Sequence, residues 1–75
     1  MNAETRKEIQ KLRNLIESTK GKLEEFANAE QEKFDNLSEG LQQAEQGQAL
    51  EEAANNLTSA AENLDGAMTD LDNIG

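Results

Sequence analysis

Apolar residues in the first half of the chain fall at Ile9, Leu12, Ile16, Leu23 and Phe26, then at Phe34 and Leu37. Steps of three, four and seven trace one stripe on a helix, and Leu15 and Ala27 widen it. The pattern predicts a helix from about Ala3 to about Asp35, near 48 Å long at the usual rise. Asn2 is placed to cap it, and Glu4 suits the positive end of its dipole. Gly21 lies inside this helix at a cost of about 1 kcal/mol relative to Ala. It marks either a bend or a place where another backbone comes close.

The stretch 35–40, Asp-Asn-Leu-Ser-Glu-Gly, interrupts the stripe. Its Asp, Asn and Ser side chains compete for backbone hydrogen bonds, and Gly accepts turn conformations. Ser38 can cap a short helical turn over 39–45 with Leu41 pointing inward, and Gly47 permits a further adjustment. Residues 36–47 therefore read as a hinge.

From Gln48 to about residue 73 the pattern is regular. Leu50, Leu57, Leu64 and Leu71 recur every seven residues beside Ala53-Ala54, Ala60-Ala61 and Ala67-Met68. Slightly over three heptads is the minimum for a coiled-coil assignment. The expected seam is Ile9, Leu12, Ile16, Leu23 and Phe26 against Leu50, Ala53, Leu57, Ala60, Leu64, Ala67 and Leu71. Gly66 falls on the outer face. Two long helices about a short hinge make an all-α, antiparallel helical hairpin in a single domain. A lone hairpin wets one flank of each stripe, so pairing of two copies into a dimeric four-helix bundle is expected.

Composition narrows the chemistry. Seventy-five residues bury little core, and with neither Cys nor His there is no disulfide or zinc staple. The same absence removes the usual general base and the thiol nucleophile, and a hairpin has no deep cleft for a carboxylate pair. The protein is expected to bind and not to catalyse, with no cofactor. Two aromatic residues cannot form a stacking platform for single strands. No apolar run of signal-peptide or membrane-span type occurs, which predicts a cytoplasmic protein without a membrane contact.

The net charge of −9 is unevenly spread. Residues 1–22 carry six cations against three carboxylates, a net of +3, while residues 23–75 carry one cation against thirteen, a net of −12. Each half is an electrostatic complement of the other. Arg6, Lys11, Arg13 and Lys20 are candidate phosphate contacts, although no glycine-rich loop accompanies them. The plainer reading is a solvated face that meets the acidic second helix. Glu24, Glu25, Glu30, Glu32, Asp35 and Glu39 are dense enough to weigh as a DNA-mimicking surface, whose ordinary role is solubility. The segment 70–75 has the oxygen donors of half a calcium loop. Without the other half it reads as an acidic helix end. The large apolar groups Phe34, Leu37 and Leu41 cluster at the hinge, either as a plug or as a contact patch.

The run 33–47, Lys-Phe-Asp-Asn-Leu-Ser-Glu-Gly-Leu-Gln-Gln-Ala-Glu-Gln-Gly, followed by Glu51-Glu52-Ala53 and the Leu/Ala heptads, resembles a group of small acidic helical proteins of phages, prophages and mobile elements, mostly of unassigned function. Members typically carry Phe-Asp-Asn-Leu-Pro-Glu and a later Glu-Arg-Gly. Here Ser38 stands for the Pro and Gln46 for the Arg. The resemblance covers about residues 33–70 and implies a short accessory protein that interferes with host machinery or host defence. Its implied partner is a host or phage protein, bound in the host cytoplasm. The hinge residues Phe34, Asn36, Leu37, Glu39 and Leu41 are the expected contacts. Other expectations are an acidic decoy, a sponge for a small nucleotide and a structural assembly factor.

Overall fold

The computed structural model describes residues 1–74. Gly75, the last position of the calcium-like half loop, lies outside the described residues. Two long helices and one helical turn account for nearly all of them: α1 (Ala3–Asp35), α2 (Glu39–Gln42) and α3 (Glu45–Asp72). The chain is an all-α helical hairpin, drawn out to 58 × 14 × 12 Å, in which α1 and α3 pack along their lengths. No helix of the described residues is long and apolar enough to cross a membrane.

Local chemistry explains the ends. Asn2 stays extended, and its Oδ1 accepts the Thr5 N–H at 2.8 Å, capping α1. The helix stops at Asn36, whose N–H bonds back to the Glu32 carbonyl at 3.0 Å. Ser38 is again extended and caps α2, its Oγ accepting from the Leu41 N–H at 3.4 Å. Helix α3 begins at Glu45, three residues before the expected Gln48. The reason is Gly47, which sits buried in the first turn of α3 directly beneath the end of α2. A Cβ there would collide with the carbonyl oxygens of Leu41 and Gln42. Gly47 therefore serves close approach of two backbones, not a change of chain direction. At Gly21 the helix continues unbroken, and nothing lies within 4 Å of the place a Cβ would take, so neither a bend nor a close approach uses it.

The seam is a heptad on both helices, but it is not the expected one. On α1 the covered positions are Ile9, Arg13, Ile16, Lys20, Leu23, Ala27, Glu30 and Phe34, a strict alternation of four and three that Leu37 continues just past the helix. Leu12 and Phe26 are excluded from this intrachain seam, at 56% and 59% exposure, and the column is completed by Arg13, Lys20 and Ala27. On α3 the buried column is Gly47, Ala54, Ala61 and Met68, interleaved with half-buried Leu50, Leu57, Leu64 and Leu71. Ala53, Ala60 and Ala67 are half-buried on its flank, one residue off the centre assigned to them. Small residues at the centre let the helices approach closely. The cost is a thin core: among the described residues only Ala27, Ala54, Ala61 and Met68 are buried hydrophobic residues.

Candidate functional site

Ion pairs concentrate in the seam between the open ends of the helices, and backbone-directed hydrogen bonds concentrate at the hinge tip.

In the open half of the seam, Arg13 donates from Nε to Asp72 Oδ1 at 3.1 Å and also pairs with Glu17 on its own helix. One heptad along each helix, Lys20 Nζ lies 3.4 Å from Asp65 and 3.6 Å from Glu24. The two rungs share one register, seven residues apart on α1 and seven on α3. A cation in a core column tolerates only an alignment that gives it a carboxylate, so the rungs fix how the helices slide. The hydrogen bond to Asp72 is the largest influence raising the Arg13 pKa. Attraction to Asp65, then to Glu24, raises that of Lys20.

Those pairings decide how the phosphate candidates stand. Arg13 and Lys20 are claimed by α3, and Lys11 meets Glu8 at 3.4 Å on the helix surface. Arg6 and Arg13 both line a hollow of about 220 Å³ at the open end, with Asp72 on its rim. A larger hollow of about 320 Å³ beside Lys20 is also lined by Glu24, Glu62 and Asp65. Three carboxylates around one ammonium repel a phosphate more than the cation attracts it. The structure thus distributes the four cations along α1 and does not gather them into one anion site. No cluster of three metal-ligating side chains occurs among the described residues. The six acids weighed as a DNA mimic are also scattered. Glu25 and Glu32 share a heptad column, while Glu30 is half-buried in the seam and bonded to Lys33 at 3.1 Å.

The hinge tip is built more tightly. Phe34 and Leu37 are half-buried, closing the end of the seam, whereas Asn36 and Glu39 are exposed. Leu41, expected inside, points out with 47% of its surface exposed. It rides on a backbone held from several sides. The Gln42 N–H bonds to the Ser38 carbonyl at 2.9 Å, and the Ala44 N–H to the Leu41 carbonyl at 3.2 Å. The Gln42 side chain donates from Nε2 to the Phe34 carbonyl at 3.1 Å, which also accepts from the Leu37 N–H at 3.0 Å. Gly47 packs from below. Sequence reasoning missed Gln42 and gave Gly47 a different role. Gln carries no directional signal, and the Gly looked like a turn residue. At the tip Phe34 and Leu37 are thus half-buried, whereas Asn36, Glu39 and Leu41 are exposed.

Compared with known proteins, the chain matches no family model, no curated protein and no solved structure.

Proposed function

We propose that the chain is a non-enzymatic accessory protein of a phage or mobile element that acts by occupying a surface of a host or phage protein, as an inhibitor or sequestering factor. The origin rests on the resemblance of residues 33–47 to such proteins. The mode of action rests on one structural observation: Leu41 is held outward, 47% exposed, on a four-residue helix whose backbone is anchored on both sides. An ordered, exposed Leu flanked by Asn36 and Glu39 has the make-up of a contact patch, an apolar anchor with a polar rim.

The test compares capture from host lysate by the intact protein and by Leu41→Asp, with identification by mass spectrometry. A partner retained by the former, lost by the latter, and accompanied by unchanged helicity in circular dichroism supports the reading. Retention by both overturns the hinge as the contact. Leu37→Asp is the companion variant. Because Leu37 is half-buried, that change lowers the melting temperature whether or not a partner exists.

A further inference from the structure

We infer that the flank of the hairpin bearing Leu12, Leu15 and Phe26 is covered by a second copy of this chain, α1 of one lying on α3 of the other, with both hinges at the same end. The partner contact at the hinge is a separate matter, and neither proposal depends on the other.

Three observations carry it. The first is placement. Leu12, Leu15 and Phe26 are 56%, 64% and 59% exposed. They belong to a second stripe on α1, stepping by three and four through residues 12, 15, 19, 22, 26 and 29, at nearly a right angle to the seam. The ion pairs Arg13–Asp72 and Lys20–Asp65 identify one flank of the hairpin, since Glu17, Glu24, Asp65 and Asp72 all lie there. The opposite flank holds the α1 stripe together with the α3 ridge of Ala53, Ala60 and Ala67, which remain only half-buried. Thr19, at the middle of the stripe, turns its hydroxyl onto the Leu15 carbonyl at 2.8 Å, so its polar atom is satisfied without water.

The second is charge. The chain has sixteen carboxylates, yet at the three-and-four spacing this face takes only Glu8 and Asp70, and it also holds Lys22 and Lys33. A chain of net charge −9 thus has one long, nearly neutral face. Two copies meet there without mutual repulsion, and depletion of charge is what marks an interface centre.

The third is shape and size. The bulky groups of this face are on α1, and the small ones are on α3. A two-fold axis along the rod preserves the register set by the ion pairs and places Phe26 against the partner's Ala60 and Thr19 level with the partner's Ala67. At Phe26 large meets small. The reversed stacking lays Ala on Ala and bulk on bulk, leaving voids. A lengthwise contact runs the 58 Å of the rod. The isolated hairpin buries four hydrophobic side chains, none of them completely, so the second copy supplies the missing core.

Sedimentation equilibrium on the full chain between 1 and about 100 µM, where a standard interface dimerises, is the direct test. Twice the 8.2 kDa of the chain is expected, and a monomer or a larger assembly overturns the proposal. Phe26→Ala is expected to weaken dimerisation by about thirty-fold, as loss of a buried aromatic anchor does. Asn55→Glu, on the outer face, leaves the mass unchanged. If Phe26→Ala instead leaves the dimer intact, this face is not the interface. Orientation is read from a spin label on Asn36→Cys, in a chain with no other Cys. A distance below about 30 Å, from neighbouring helices 8–10 Å apart, fits hinges at one end. A distance near the 58 Å length of the rod overturns the stated arrangement.

Discussion

Gly47 and Gly21 are the same residue in helices of similar length, and the structure gives them opposite meanings. At Gly47 an added methyl meets the carbonyl oxygens of Leu41 and Gln42, backbone atoms that cannot swing aside. Gly47→Ala is therefore expected to destabilise by about 1–3 kcal/mol, as overpacking does, with the melting temperature falling by about 4–8 °C per kcal/mol in a domain of this size. At Gly21 and Gly66 an added methyl meets nothing within 4 Å, and both helices run through unbroken. There the change to Ala restores helix propensity and restricts the unfolded chain, stabilising by about 1 kcal/mol at each site. A thermal melt of each variant reads the sign directly. Lys20 makes a third residue-scale statement. Its pKa in the folded chain is raised above the ordinary 10.5 by Asp65 and Glu24. Its stabilising contribution is thus fully present below pH 10.5 and is lost as pH climbs through the raised value. The gap in melting temperature between the wild type and Lys20→Met is expected to hold steady from neutral pH to 10.5 and to close above it.

Between α1 and α3, alignment depends on the two rungs Arg13–Asp72 and Lys20–Asp65. The Leu and Ala columns of α3 repeat every heptad, and a slide of seven residues that brings Arg6 to Asp72 and Arg13 to Asp65 leaves Lys20 opposite Thr58. Lys20→Asp faces Asp65 and Glu24 with a third carboxylate and is expected to lower the melting temperature. The exchange Lys20→Asp with Asp65→Lys restores much of the loss, because the rung re-forms with its charges reversed. A double-mutant cycle by thermal melting checks this coupling. The same rungs show what the sequence disclosed and what it hid. The periodic stripe, the Asn2 and Ser38 caps and the heptads after residue 48 place both helices and the hinge within a few residues. Followed only through apolar residues, however, the stripe draws Leu12 and Phe26 into the seam and leaves Arg13 and Lys20, which occupy it, as surface charge. The missing step lies in the charges: cations at 6, 13 and 20 step by heptads, as do the carboxylates at 65 and 72. Matching those two ladders antiparallel narrows the register to two, Arg13–Asp72 with Lys20–Asp65 or Arg6–Asp72 with Arg13–Asp65. The outward turn of Leu41 has no such signal, because it depends on the close passage of α3 at Gly47, a contact between non-periodic segments.

The whole molecule is a rod with one acidic flank, one nearly neutral flank and an anchored tip, and these three surfaces predict different responses to salt. Carboxylates on the acidic flank and outer faces are largely exposed, so any binding that relies on them acts through water and is screened beyond the Debye length, about 8–10 Å at 0.1–0.15 M salt. An anchor such as Leu41 works by removing apolar surface from water, which salt at moderate concentration does not weaken. If the tip is the contact, capture of the partner survives about 0.5 M salt, well above the range where surface charge still steers, and is lost in Leu41→Asp at any salt. An acidic decoy behaves in the opposite way, releasing its target in salt and tolerating Leu41→Asp. One titration of bound partner against salt, run on both proteins, separates the two modes of action. A partner that dissociates from the wild type at high salt and still binds Leu41→Asp at low salt would move the functional surface from the tip to the acidic flank.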